Sequence, residues 1–154
     1  MAADLDKIDH AILKVLATDG RISITDLGQA VGLSKTPVAA RVRRLEAEGV
    51  ITGYQAQLST EKLGLAHVAF VEVRLSDTRE AALTAFNAAV RKVPEVEECH
   101  LIAGGFDYLL KVRTPDISAY RQVLSESISS LPHVTSTSTY VSMEGVKDRS
   151  AVPL

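Results

Sequence analysis

Residues 21–53, RISITDLGQAVGLSKTPVAARVRRLEAEGVITG, read as a short helix, a glycine turn, a second and more basic helix, and then a strand. Ser23 is placed to cap the first helix, with Asp26 three residues on completing a weak capping box. Gly32 falls where that helix must stop, in the usual place for a left-handed residue. Ser34 is a good N-cap for the second helix, and Pro37 lies in its first turn, where backbone N–H groups lack helical partners. Val38, Val42 and Leu45 form one apolar face; Lys35, Thr36, Arg43 and Arg44 project away from it, with Arg41 at its edge. From Leu33 to Leu45 there are four basic residues and no acidic one. Two helices joined by a short glycine turn, the second one basic, make a helix-turn-helix pattern. Lys35, Arg43 and Arg44 are expected to neutralise phosphates, while Ser34 and Thr36 approach base edges. Arg41 suits either a phosphate or a structural contact to an acid. The competing reading is an ordinary helical hairpin with a solvated basic face. Gly49 ends the second helix, and Val50–Tyr54 are expected as strand and turn, which is what a wing would look like.

Upstream, residues 4–19 form a first helix with Asp4 or Asp6 as cap and Leu5, Ile8, Ile12 and Leu16 on one face, ended at Gly20. Downstream, residues 54–66 read as a connecting strand and loop, and then the period changes. Ala69, Val71, Val73 and Leu75 alternate with Val68, Phe70, Glu72 and Arg74, a strand from His67 to Leu75. Ala82, Phe86 and Val90 place a helix over residues 79–93, before Pro94. Strands follow at 96–102 and 108–114, separated by a turn at 103–107. A helix over 116–131, with Ile117, Tyr120, Leu124 and Ile128 on one stripe, stops before Pro132. A last strand covers 134–143, and a polar tail follows. The order βαββαβ folds as an antiparallel four-stranded sheet with two helices on one face. Val68, Phe70, Tyr108 and Leu110 need cover on the other face, and self-association is the expected source. The fold class is therefore α+β. The domains are 1–53 for the winged helix-turn-helix, 54–66 for the connection, and 67–154 for the βαββαβ unit with its tail.

Composition narrows the function. Hydrophobic residues make up 46% and charged residues 23% of the 154, as in a soluble globular protein. The acidic N-terminus does not resemble a signal peptide, and one cysteine, Cys99, suits a reducing cytoplasm. Up to Gly53 there are seven basic and seven acidic residues, and after it ten and twelve, so positive charge is confined to the second helix of the motif. That favours specific duplex contact over bulk nucleic-acid packaging. The four histidines lie far apart with no cysteine partners at metal spacing, so no metal site is expected. No phosphate-binding glycine loop and no nucleophile elbow occur. Glu97 and Glu98 are expected on opposite faces of a strand, unable to act together. Neither an enzyme nor a cofactor is expected. The turn Gly104-Gly105-Phe106-Asp107-Tyr108 admits two readings. It is either a plain hairpin loop or a cradle whose N–H groups hold a carboxylate while Asp107 accepts from an ammonium, the two ends of a free amino acid.

Several segments taken together resemble the Lrp/AsnC family, most closely its leucine-responsive branch. They are Leu5-Asp6-Lys7-Ile8-Asp9, Asp19-Gly20-Arg21-Ile22-Ser23, Val31-Gly32-Leu33-Ser34 with Thr36-Pro37, and Arg41-Val42-Arg43-Arg44-Leu45-Glu46 with Gly49. Later in the chain come Glu98-Cys99-His100-Leu101, Phe106-Asp107-Tyr108-Leu109-Leu110-Lys111, Pro115-Asp116 with Ser118-Ala119-Tyr120-Arg121, and Thr139-Tyr140-Val141 with Met143-Glu144. The resemblance implies a winged helix-turn-helix followed by a ferredoxin-like domain that senses amino acids. It implies dimers assembling to tetramers or octamers, with the effector near the interface between dimers. On this chain that points to Leu101, Gly104, Asp107, Ile117, Tyr140 and Val141. Gly105 stands where an acid is usual, Ile117 where Met is common and Ser142 where Val is common, so leucine is not assured as the effector. The expected function is a cytoplasmic, sequence-specific transcriptional regulator on double-stranded DNA, responding to a small amino acid and controlling its metabolism or transport. The alternatives are a nucleoid-organising protein and an amino-acid-binding module acting on a protein partner.

Overall fold

The computed structural model describes residues 3–148, which divide into one compact unit up to Gln57 and a second spanning Leu58–Val146. In the first unit, α1 (Lys7–Thr18) begins where Asp6 and Asp9 cap each other reciprocally. Asp6 Oδ1 accepts from the Asp9 amide at 2.8 Å, and Asp9 Oδ2 from the Asp6 amide at 3.2 Å. Asp6, not Asp4, is the cap, so the helix starts later than residue 4. Helix α2 (Ile24–Val31) starts at Ser23, whose hydroxyl accepts from the Asp26 amide, and stops at Gly32 in the left-handed region, φ 75°. Helix α3 (Lys35–Ala47) follows. Ile12, Leu27, Val38, Val42 and Leu45 from the three helices meet as one buried core. The turn between α2 and α3 is tight: a Cβ built on Gly28 would come within 2.6 Å of the Leu33 carbonyl oxygen.

Two expectations fail beyond α3. Val50–Tyr54 forms no strand; the amides of Val50 and Ile51 both return to the Leu45 carbonyl, and Tyr54 donates from its hydroxyl to Glu46 at 2.8 Å. Residues 54–66 contain turns but no strand. A strand needs a neighbour to take its hydrogen bonds, and none is offered here.

The second unit is a four-stranded sheet of β1 (His67–Leu75), β2 (Val96–Leu101), β3 (Tyr108–Thr114) and β4 (Val134–Val141), in the order β2-β3-β1-β4, antiparallel throughout. Helices α4 (Glu80–Val90) and α5 (Ile117–Val123) accompany it. Ala69, Val71, Val73, Tyr108, Leu110 and Val112 pack with Phe86, Val90, Tyr120 and Ile128 in a second buried core. Tyr108 and Leu110 therefore sit on the helix-covered face, not the open one. The alternation of β3 admits either face, and the register with β1 decides it. The open face carries Val68, Phe70, Leu109 and Tyr140, with Phe70 opposite Tyr140. Tyr120, Leu124 and Ile128 of the stripe expected over 116–131 reach the core, although after α5 the backbone widens into a π-turn at Leu124–Ile128, where Ser129 donates back to Leu124 at 2.9 Å. Ile117, in the first turn of α5, is left half exposed. An irregularity between Val96 and Glu98 also brings both carboxylates, expected on opposite faces, to Lys111 at 3.5 and 3.9 Å.

Candidate nucleic-acid interface and effector site

Helix α3 presents its candidate contacts unequally. Ser34 occupies the N-cap position, yet its hydroxyl makes no capping bond, and Lys35, Thr36 and Arg43 are exposed. Arg41 and Arg44 are differently engaged. Arg41 Nη1 donates to Asp6 Oδ2 at 2.7 Å and to Asp9 Oδ1 at 2.9 Å. Arg44 Nη2 donates to Asp9 Oδ2 at 2.6 Å. Asp9 is 1% exposed. Burial alone would raise its pKa; the hydrogen bonds from Arg44, Arg41 and the Asp6 amide overcome this and hold it at about 2. Of the two options open to Arg41, the acid contact is the one formed. Arg44, expected free beside Arg43, is turned to α1, because Arg41 and Arg44 are three apart and share one helix side. Helical spacing by itself does not single out Asp9 as their partner. Its only signal in the sequence is an acid between Ile8 and Ile12 on an otherwise apolar face.

The six candidate effector residues fall at two corners of the sheet. Leu101 pairs with Tyr108, which lies beside Val73 and, beyond it, Thr137. Val141 pairs with Ala69, four residues down β1 and on the opposite edge strand. By strand rise and spacing the two are roughly 20 Å apart, well beyond the length of a free amino acid. Gly104 and Asp107 belong to the Leu101 corner, and Tyr140 to the Val141 corner, with Ile117 two turn residues after β3. One chain therefore does not bring all six together. At the first corner a Cβ on Gly104 would touch only Ile102, at 3.5 Å, and one on Gly105 would meet nothing. Neither glycine has positive φ, so no left-handed residue curls the turn into a nest. The Asp107 carboxylate is partly used: Oδ2 accepts from the Leu75 amide at 2.7 Å, and the Asp107 amide donates to Val73. Leu101 also borders a groove of about 470 Å³ lined by Asn87, Arg91, Cys99 and Tyr108. There the Cys99 thiol is pushed up to about 11 by burial. At the second corner Tyr140 and Val141 are about half exposed, and the His67 ring packs on Tyr120 with Nδ1 3.1 Å from the Thr114 hydroxyl.

Comparison with known proteins now decides the kinship. Residues 68–152 match the model described as the Lrp/AsnC ligand binding domain, and residues 5–52 match a winged helix-turn-helix DNA-binding model. The chain belongs to the Lrp/AsnC family. A Rhodobacter capsulatus protein named proline dehydrogenase transcriptional activator is 58% identical over 150 residues, 97% of each chain. The leucine-responsive regulatory protein of Escherichia coli K12 is 51% identical over 144 residues, 94% of this chain and 88% of that one. A Neisseria meningitidis transcriptional regulator, solved as its L-methionine complex, superposes with a TM-score of 0.92 at 33% identity over 97% of both chains. This Lrp/AsnC member is accordingly a DNA-binding transcriptional regulator with an amino-acid-binding domain, and not an enzyme. No helix among the described residues is long and apolar enough to cross a membrane.

Proposed function

We propose that the protein regulates transcription of amino-acid catabolism genes in the cytoplasm, a proline dehydrogenase gene among them, with proline as the amino acid sensed. The observation that carries this is the 58% identity, over 97% of both chains, to a relative named for activating proline dehydrogenase. In this reading Ser34 and Thr36 face base edges, and Lys35 and Arg43 face phosphates. The exposure of these residues at the start and outer side of α3 supports the assignment. A dimer would present two such helices about 34 Å apart, one turn of the duplex.

The split of the effector residues supports a site completed between copies. Leu101, Gly104 and Asp107 of one subunit would face Ile117, Tyr140 and Val141 of another, in a tetramer or larger ring. The unused Asp107 oxygen would accept from the ammonium. Thermal melting with each of the twenty amino acids tests this. A ligand at about 100 times its Kd stabilises by about 2.7 kcal/mol, a rise of several degrees. We expect proline to raise Tm, and Asp107→Ala and Tyr140→Ala each to abolish the rise. Mixing the two variants should restore part of it, since some interfaces then carry both intact halves. No rise with any amino acid would contradict the sensor assignment; no recovery on mixing would contradict the shared site.

A further inference from the structure

The pairing of Arg41 and Arg44 with acids on α1 has a consequence for how tightly α3 holds DNA that is not its target. The basic helix carries four cations, but two of them already donate to Asp6 and Asp9 at 2.6–2.9 Å. Among the described residues, no ion pair engages Lys35 or Arg43. A guanidinium whose charge a carboxylate already balances attracts a phosphate less and releases less counterion from the duplex. Asp9 is buried beside both arginines, and Asp6 is half exposed at the helix start, so the acids hold fixed positions.

We infer that Asp6 and Asp9 limit the affinity of α3 for DNA of any sequence: by claiming Arg41 and Arg44 they weaken sequence-independent phosphate contacts from the helix. Their effect is to lower affinity for bulk DNA while leaving base-edge contacts at Ser34 and Thr36 untouched. A phosphate contact strengthens target and non-target duplex alike, so the two acids lower both affinities by the same factor and leave their ratio unchanged. The inference rests on α3 being the helix that meets DNA.

The test uses the full chain and a random-sequence duplex, with binding measured as a function of salt. Asp6→Asn is the informative variant, because Asn caps a helix about as well as Asp, so α1 keeps its start. Each further phosphate that the helix neutralises steepens the log–log salt slope by about 0.9, which at about 0.1 M salt means binding about tenfold tighter. We expect steepening of up to that size in Asp6→Asn, where Arg41 keeps only its bond to Asp9, and, if it folds, in Asp9→Asn, which releases Arg44 and leaves Arg41 on Asp6 alone. We expect little steepening in Asp19→Asn, which removes the same charge from an acid bonded to the Arg21 amide. The double variant Asp6→Asn with Arg41→Gln should return to the parental slope. Equal slopes in Asp6→Asn and Asp19→Asn would overturn the inference. Arg43→Gln separates the underlying reading: it should flatten the slope by about one unit, and a parental slope there would show instead that α3 is not the DNA helix.

Discussion

The Asp9 carboxylate, 1% exposed between α1 and α3, survives ionised only because Arg41 and Arg44 both donate to it. Replacing Asp9 by Ala would leave Arg41 and Arg44 without their shared acceptor. We expect a loss of about 2–4 kcal/mol, below that for a fully buried pair because both guanidiniums reach solvent. The pH dependence has a definite sign. The Asp9 carboxyl titrates at about 2 in the folded chain against an ordinary 3.8, so its ionised form stabilises the fold. That contribution is complete above about pH 4 and fades as pH falls toward 2. Urea midpoints for the native chain and Asp9→Asn should therefore converge through this window. A constant gap from about pH 5 down to 2 would contradict the assignment. The sequence marks Arg41 as poised between acid and phosphate, but it does not reveal Asp9. Helical periodicity treats an acid on an apolar face as an interruption, and only the distance between α1 and α3 identifies its partners.

At the scale of elements, the helix-turn-helix hangs on one close approach. Gly28 lies inside α2, where glycine is a poor helix former, and the absence of its side chain lets the Leu33 carbonyl pass. Gly28→Ala should push the turn open, costing about 1–3 kcal/mol and weakening DNA binding while the sheet unit keeps its melting transition. Calorimetry on the full chain reads both; an unchanged first transition would show that the turn tolerates the methyl. Elements with strong periodicity were legible in advance: β1 from Ala69, Val71 and Val73, α4 from Ala82, Phe86 and Val90, and both glycine stops at 32 and 49. Three others were not. Val50–Tyr54 has strand-forming residues but no neighbour to pair with. The π-turn at Leu124–Ile128 interrupts the regular helix that spacing alone extends through, while Tyr120, Leu124 and Ile128 keep their places against the core. Tyr108 and Leu110 alternate correctly, yet their face is set by β1 across the ladder. Only for Tyr108 and Leu110 is the deciding contact distant in sequence; Val50 and Ser129 instead turn back to carbonyls five residues earlier.

For the whole molecule, the candidate effector residues show the same limit. The Gly104–Asp107 turn announces itself in the sequence, and the structure makes it a fixed corner tied to Val73 and Leu75. Nothing in one chain's sequence tells that Tyr140 and Val141 stand at the opposite corner, because that follows from strand order. The open face with Phe70 and Tyr140 and the separation of the candidate effector residues are the grounds for the proposed assembly, in which an amino acid between subunits is coupled to the recognition helices. Such coupling is worth about 1–3 kcal/mol, a change of about 5–150-fold in DNA affinity. The most direct measurement of this is a binding isotherm on the DNA upstream of a proline dehydrogenase gene from the same organism. It is taken at near-physiological salt with competitor DNA, first without and then with proline. We expect a Kd of about 10⁻⁸ M or tighter that proline shifts at least about fivefold. Binding no tighter than to competitor, or tight binding that no amino acid moves, would contradict the coupling of effector to DNA.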